Sequence, residues 1–465
     1  MNKALERIYN ISPISLQNLA VSLYGVKLYR REYGRKFRQL LAQFEAMQWY
    51  SAHQLEEYQN ARLRQLVTHC YENVPYYREI MDGRHLRPSD IGTRDDLRLL
   101  PQLTRDDVKL RSKELVATNF KRSALIEGHT SGTTGSPLQF LWDKQVCLVK
   151  NVVDWRQKRW GGISPGDRLA YFLGRPIVPT TRTRPPFWRR NWALNHLFFS
   201  AFHMSPEHLE VYYRELGRFK PRAVEGYPST VYIFARFLLN TGRTFPVQAV
   251  FTSSETLFPQ QREIIEQAFC CKLFDFYGLA ERTVFATECD SHEGHHLNMD
   301  FGITEILADD GQPVSPGQLG RIVTTGLHNF AMPLLRYVTG DVTALTPRRC
   351  SCGRAFPLME DVTTKAEDII TTRDGRYISS STLTHPFKPL HAVAESQIIQ
   401  EDREHIRIKI VRLANYEDKE SEHLLREIKK RVGEDMDVRL EFVDRIERTK
   451  AGKFRWVISN VPLEF

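Results

Sequence analysis

Thr130-Ser131-Gly132-Thr133-Thr134-Gly135-Ser136-Pro137 is the stretch on which the reading of this chain turns. Before its proline, every residue is a glycine or carries a small hydroxyl. Such a run adds little to a core, and its glycines permit positive φ and close approach of the backbone to a ligand. Successive backbone N–H groups and hydroxyls form a donor-rich concavity suited to phosphate oxygens. The Walker A ending Gly-Lys-Ser/Thr is absent, because Ser136-Pro137-Leu138 follows instead. A flexible surface linker is the competing reading, and the rest of the chain decides between the two.

A chain of 465 residues is too long for one ordinary core, so two or three domains are expected. With 42% apolar and 26% charged residues, wholesale disorder is excluded. A net charge of +9 favours anionic ligands or surfaces. No zinc-finger, RNP or basic-zipper pattern accompanies that charge, so nucleic acid is not an expected partner. No run approaches the roughly 20 apolar residues of a membrane span, and Met1 to Asn10 lacks the pattern of a secretory signal. Seven scattered cysteines, an odd number, do not resemble a disulfide framework, which makes a reducing cytoplasm the expected compartment. The basic, aromatic segment Pro185-Pro186-Phe187-Trp188-Arg189-Arg190-Asn191-Trp192 leaves peripheral membrane association open. It could equally cover an anionic substrate, with Arg189 and Arg190 as the contacts.

The organisation along the chain predicts an α/β protein. Residues 35 to 80 carry apolar residues at helical spacing, interrupted at Asn73-Val74-Pro75. Further on, strand-like Arg168–Leu173, Ala223-Val224, Ala249–Thr252 and Lys272–Tyr277 alternate with helix-like Pro206–Glu215 and Pro259–Phe269. That alternation predicts a largely parallel sheet. Residues 302 to 345 contain short β-rich pieces between Asp-Asp-Gly and Pro-Gly turns, as in a small β subdomain. From about Ala366 the pattern is α+β: Gln397–Val411 reads as one half-buried strand, Glu420–Val432 as a helix and Val438–Val443 as a strand. The expected division is a domain over 1–365, helical to about residue 80, and a smaller one over 366–465.

Three more sites carry chemistry. In Phe274-Asp275-Phe276-Tyr277-Gly278-Leu279-Ala280-Glu281 a strand ends in an aromatic and a glycine, with a carboxylate four residues on. Tyr277 could stack on a purine, and Glu281 could hold Mg²⁺, which takes carboxylate and phosphate oxygens. In Arg336-Tyr337-Val338-Thr339-Gly340-Asp341 a carboxylate after a glycine turn is suited to ribose hydroxyls. In Arg448-Thr449-Lys450-Ala451-Gly452-Lys453 a lysine in a basic loop could bring a point charge to a phosphate or carboxylate.

Taken in order, these motifs resemble the adenylate-forming superfamily of acyl-CoA synthetases and related ligases, over residues from about 70 to 460. Asn73-Val74-Pro75-Tyr76-Tyr77-Arg78, Gly226-Tyr227-Pro228-Ser229, Thr252-Ser253-Ser254-Glu255 and Arg448–Arg455 resemble the phenylacetate–coenzyme A ligase group, especially its capsular-polysaccharide branch. The resemblance implies a large N-terminal domain and a small, mobile C-terminal domain with the catalytic lysine, Lys453. It implies that Thr130, Ser131, Gly132, Thr133, Thr134 and Gly135 hold the ATP phosphates. Ser254, Glu255, Asp275, Phe276, Tyr277 and Gly278 would line the adenine pocket, with Glu281 near Mg²⁺ and Asp341 on the ribose. Tyr227, Pro228 and Ser253 would border the acid. Leu138 stands where many members carry a lysine, and Thr364-Lys365 replaces the usual Gly-Arg before a hinge near Glu367 and Asp368. Lys365 keeps the charge but not the planar fork that holds two ribose oxygens.

Cys289-Asp-Ser-His292-Glu-Gly-His295-His296 and Cys350-Ser-Cys352 lie about 60 residues apart. Three thiols with an imidazole satisfy the ligand chemistry of tetrahedral structural zinc. Cys289, His296, Cys350 and Cys352 are the expected set, with His292 or His295 as the alternative imidazole.

The implied function is ATP-dependent, AMP-forming activation of a carboxylic acid, with acyl transfer to coenzyme A, to an amine (one on a glycan included) or to a carrier-protein thiol. A nucleotide-binding scaffold without catalysis is the reading from another class; Glu281, Asp341 and Lys453 argue against it.

Overall fold

The computed structural model describes residues 8–129, 138–173, 177–179, 182–362, 370–378, 380–383, 385–387, 389–390, 392–447 and 455–461. Its first elements are helices: α1 (Ile14–Glu32), α2 (Arg35–Met47), α3 (Ala52–Asn73) and α4 (Pro75–Gly83). Ser51 starts α3 with a capping box, since its hydroxyl accepts the Gln54 N–H at 3.3 Å while the Gln54 side chain accepts the Ser51 N–H at 2.9 Å. Pro75 ends α3 because it has no N–H to donate back, and it opens α4 at the one position where that loss is harmless.

Strands β1 (Ile126–His129) and β2 (Gln139–Trp142) pair antiparallel, with His129 opposite Gln139. Helix α5 (Lys144–Trp160) follows, capped by Asp143, which accepts the Val146 N–H at 2.8 Å. Next come β3 (Leu169–Leu173), β4 (Trp188–Asn191), β5 (His196–Ser200), α6 (Pro206–Phe219), β6 (Ala223–Gly226), α7 (Pro228–Asn240), β7 (Ala249–Ser253), α8 (Pro259–Phe269) and β8 (Leu273–Gly278). The strands β9 (Phe285–Glu288), β10 (His295–Leu297), β11 (Gly302–Leu307), β12 (Leu319–Gly326), β13 (Tyr337–Ala344) and β14 (Leu358–Met359) complete this part.

Among the described residues, nine strands form one sheet in the order β14-β10-β9-β8-β7-β6-β3-β5-β4. The five from β8 to β5 are mutually parallel, and antiparallel strands extend both edges. The reason is visible in the side chains. Along β3, Ala170 and Phe172 join a core with Val224, Val250 and the apolar faces of α6, α7 and α8, whereas Leu169 and Tyr171 join Ala223, Ala249, Phe251, α2 and α5. Alternation by two feeds both faces, so a strand buried on each side must be apolar throughout. Burial of all five β7 residues fits that rule. Beside this sheet, β11, β12 and β13 make the expected small antiparallel subdomain.

The last part holds the hairpin β15 (Ile370–Thr371) and β16 (Tyr377–Ile378), then β17 (Val393–Gln400), β18 (His405–Arg412), α9 (Asp418–Val432), β19 (Asp437–Phe442) and β20 (Val457–Ser459). Its sheet runs β19-β18-β17-β20, with α9 contributing Leu424, Ile428 and Val432 to a separate core. Arg376 ties it to the turn that follows β5, donating to the Phe202 carbonyl at 2.7 Å, and also donates to the Arg431 carbonyl of α9 at 2.9 Å.

Two expectations are corrected. Gln397–Val411 is not one strand but parts of two, β17 and β18, because Asp402 accepts the N–H groups of Glu404 at 2.8 Å and His405 at 3.0 Å and reverses the chain. The segment around 185–192 does not offer both arginines to a substrate: β4 is an edge strand on β5, and Arg189 is fully buried, donating to Gln17 Oε1 at 2.6 Å. Arg189 therefore cannot be a substrate contact on the surface, whereas Arg190 is exposed.

Candidate active site and metal cluster

Three adjacent parallel strands end level with one another and deliver most of the residues singled out in the sequence. β6 ends at Gly226 and passes through Tyr227 into α7, whose first residue is Pro228. β7 ends at Ser253, before Ser254 and Glu255, and β8 ends at Gly278, before Glu281. Gly226 stands opposite Thr252, and Ser253 opposite Phe276. The crevice outside the carboxyl ends of such strands is where open α/β sheets bind ligands. Gly226 is required by packing, since a Cβ there would lie 2.8 Å from the Phe172 carbonyl oxygen.

Ser254 has φ +74°, a left-handed conformation rarely occupied by residues other than glycine. Strain of this kind gathers at ligand sites, where the surrounding structure holds it in place. Beside it, Glu255 accepts the Ser229 N–H at 3.0 Å. That bond satisfies a donor in the first turn of α7 and places negative charge at the positive end of the helix.

Two further carboxylates arrive from different elements. Glu281 is 6% exposed and accepts the Tyr337 hydroxyl at 2.9 Å. Asp341 accepts the Tyr277 hydroxyl at 2.8 Å. Asp341 sits not in a free turn but within β13, beside Gly340 at φ +81°, where a register shift opposite Arg321 and Val323 marks a bulge. Bulges redirect side chains, and they favour functional sites for that reason. Burial pushes the Glu281 carboxyl up; the Tyr337 hydroxyl opposes this and the Asp341 charge adds to it. The Glu281 carboxylate offers hard oxygen donors, and its chemistry fits Mg²⁺.

Asp275 points into a buried chain. Thr252 Oγ1 donates to it at 2.5 Å and His295 Nε2 at 3.1 Å. Burial raises the Asp275 carboxyl, with His295 pulling the other way. For His295, burial works against the charged ring, but Asp275, Glu288 and Asp361 outweigh it and raise its pKa to about 9. Phe276 stacks on Phe285 with centroids 4.8 Å apart. The expected phosphate-binding residues Thr130 to Gly135, together with Lys365 and Lys453, lie outside the described residues, as do Glu367 and Asp368.

Sequence reasoning missed Tyr337 as the partner of Glu281, because 56 residues separate them. It also missed a buried cluster in which Lys158 Nζ lies 2.6 Å from Asp154 and 3.0 Å from Glu225. A signal was present there: Glu225 is a lone charge between Val224 and Gly226 in an otherwise apolar strand.

The second constellation lies on β10. Strand alternation sends consecutive histidines to opposite sides. His295 meets Asp275, while His296 meets the thiols of Cys289, Cys350 and Cys352, all four ligand atoms lying within 4.8 Å of one another. The Cys289 and Cys350 sulfurs are 3.6 Å apart, and Cys352 Sγ is 3.4 Å from His296 Nε2. Tetrahedral bonds of about 2.3 Å to sulfur and 2.0–2.1 Å to nitrogen give edges of roughly 3.8 and 3.6 Å, close to these spacings. The ring is oriented from behind, since His296 Nδ1 donates to the Phe356 carbonyl at 3.3 Å. Burial pushes the Cys289 thiol up to about 12, with Cys352 and Cys350 adding to it and the Ser291 N–H opposing. Burial raises the Cys350 thiol too, whereas at Cys352 burial is outweighed by the Arg354 N–H and guanidinium, which lower it. His292 packs instead on Phe274, centroids 4.7 Å apart.

A family model described as the CapK C-terminal domain matches residues 370–460. The chain is 29% identical over 464 residues to Protein CapK of Staphylococcus aureus, covering 98% of this chain and 100% of that protein. It is 26% identical over 327 residues to phenylacetate-coenzyme A ligase of Thermus thermophilus, covering 69% and 72%. Among solved structures, 2-hydroxyisobutyryl-CoA ligase in complex with 2-HIB-AMP and CoA in the thioesterification state superimposes with a TM-score of 0.57 at 20% identity, over 89% of this chain and 91% of that one. That likeness shows the fold.

Proposed function

We propose, on the premise that the chain belongs to the adenylate-forming superfamily in the branch of CapK and the phenylacetate–coenzyme A ligases, that it activates a carboxylic acid with ATP. A carboxylate oxygen of the acid forms a bond to the α-phosphorus, and the bond to the pyrophosphate oxygen breaks. The acyl-adenylate then gives its acyl group to a nucleophile and releases AMP. The observation that carries this reading is the convergence of Tyr227, the strained Ser254, Tyr277 and Glu281 at the ends of β6, β7 and β8, with Asp341 tied in through Tyr277. Glu281 would hold Mg²⁺, which supplies charge neutralisation on the phosphates, and Asp341 would accept hydrogen bonds from the ribose hydroxyls. Tyr277 and Tyr337 keep the two carboxylates in place before substrate arrives, and preorganised charge costs no rearrangement during reaction. Lys453 would approach the carboxylate and α-phosphate, and the 130–135 stretch would cradle the other phosphates. Holding both reactants together lowers the entropic part of the barrier.

The acyl acceptor would be the thiol of coenzyme A, which the matched ligases are named for, or an amine, one carried on a glycan included. The four-residue cluster would hold a structural zinc, since four protein ligands leave no open position for catalysis.

Acid-dependent exchange of pyrophosphate into ATP tests the reading. A panel of acids should reveal at least one that supports exchange, and Lys453→Ala should lower the rate roughly a hundred- to thousand-fold with ATP binding retained. ATP binding without exchange for any acid would favour the scaffold reading. Normal exchange in Lys453→Ala would remove the lysine from its assigned role.

A further inference from the structure

Helix α1 is packed inside out. Its polar and small residues face the protein: Gln17 Oε1 accepts Arg189 Nε–H at 2.6 Å, Asn18 Oδ1 accepts the Arg190 N–H at 3.0 Å, and Ser22 Oγ accepts the Trp192 N–H at 3.0 Å. Gly25 lies so close to Asn191 that a Cβ would sit 2.3 Å from its Oδ1. The opposite face carries Leu16, Leu19 and Leu23, which are 52%, 46% and 61% exposed, with Val26 at its margin. Ile11, just before the helix, is 83% exposed. A helix on a water-soluble surface does the reverse.

At 100° per residue, Lys27 and Arg30 fall on the same stripe as Leu16 and Leu23, one and two turns further on. Both are exposed. Exposed Tyr24 borders the stripe beside Lys27, and Trp192, just beyond β4, stands half exposed close to Arg190. No Asp or Glu occurs from Ile14 through Arg31.

We propose that this face seats α1 in the surface of an anionic lipid bilayer, with the helix axis in the plane of the interface. The leucines enter the acyl boundary, the aromatic rings sit at headgroup depth, and Lys27 and Arg30 meet the lipid phosphates. Charge complementarity selects this occupant over a second copy of the chain, which would bring cations against cations with no carboxylate on the stripe to pair them. Among the described residues no helix is long and apolar enough to cross a membrane, so α1 lies on the bilayer rather than through it. The chain's net charge of +9 acts in the same direction.

Flotation of the purified full chain with vesicles tests the assignment. The protein should float with phosphatidylcholine–phosphatidylglycerol vesicles and far less with phosphatidylcholine alone, and added salt should release it. Lys27→Glu/Arg30→Glu should weaken binding to the mixed vesicles by at least about tenfold. Leu19→Ser/Leu23→Ser should abolish it while circular dichroism and melting stay unchanged, because both leucines are exposed. Failure of the wild type to float, or flotation of both variants as complete as that of the wild type, would overturn the proposal. So would a wild-type dimer that the leucine substitutions convert to monomer without any vesicle binding, since the face would then belong to a second copy.

Discussion

Cys350→Ala removes one of the four side chains gathered around His296, and the structure sets the size of the effect. Cys289 and Cys350 are 61 positions apart, so a metal between them closes a long loop. Treated as a cross-link, a loop of that length restricts the unfolded chain by about 4 kcal/mol. For a folding unit of roughly 350 residues, with an unfolding entropy of about 2 cal/mol/K per residue, this corresponds to a fall in Tm of about 5 °C. Metal analysis should find one zinc per chain in the wild type and none in the variant, and calorimetry should show the matching loss of stability. A chelator should bring the wild type to the melting temperature of the variant. Cys270→Ala, at an exposed thiol outside the cluster, should keep both zinc and Tm. Wild-type protein purified without zinc, whose melting responds neither to added zinc nor to Cys350→Ala, would refute the reasoning.

Three other outcomes are expected. His328 is buried with Nε2–H donated to the Asp300 carbonyl at 2.7 Å, and burial lowers its pKa from 6.5 to about 4. The unfolded chain therefore binds the extra proton first, so stability is complete above about pH 6.5 and falls as the pH drops toward 4, by about 2 kcal/mol at pH 5. Urea denaturation across this range should show that slope, and His328→Gln should flatten it. Arg156 and Asp300 are both fully buried, and Arg156 Nη2 donates to Asp300 Oδ1 at 3.1 Å and to Asn298 Oδ1 at 2.8 Å. Asp300→Asn leaves the guanidinium without its counter-charge and should cost about 3–5 kcal/mol in chemical denaturation. Tyr337→Phe takes away a hydroxyl that holds the Glu281 carboxylate charged against burial. The acid limb of pyrophosphate exchange should move to higher pH in that variant, and an unmoved limb would separate Glu281 from the reaction.

Some of the architecture was legible from local pattern. Pro259–Phe269 is a helix over the expected residues, and β7 and β8 fall on the apolar runs that announced them. Buried strands and amphipathic helices state their burial in their own residues, so period alone suffices. The hairpin of β17 and β18 was hidden because two consecutive strands share one alternating pattern, and the break lies in a turn made by Asp402. The outward apolar face of helix α1 was hidden for the opposite reason, because the rule that apolar means inside misreads it.

By itself the sequence determined the ordered motifs, the α/β class, the cysteines and histidines of the cluster, and the superfamily that those motifs resemble. All of these are properties of residue type and spacing along one strand or loop. Tertiary structure alone decided that Tyr337 holds Glu281, that Tyr277 holds Asp341, that His296 rather than His292 or His295 meets the thiols, and that Arg189 is buried. Those pairings join residues tens of positions apart, and nothing in local propensity encodes which distant side chain completes a buried hydrogen bond. They follow from how the sheet orders its strands, and that order is set by the packing of the whole chain.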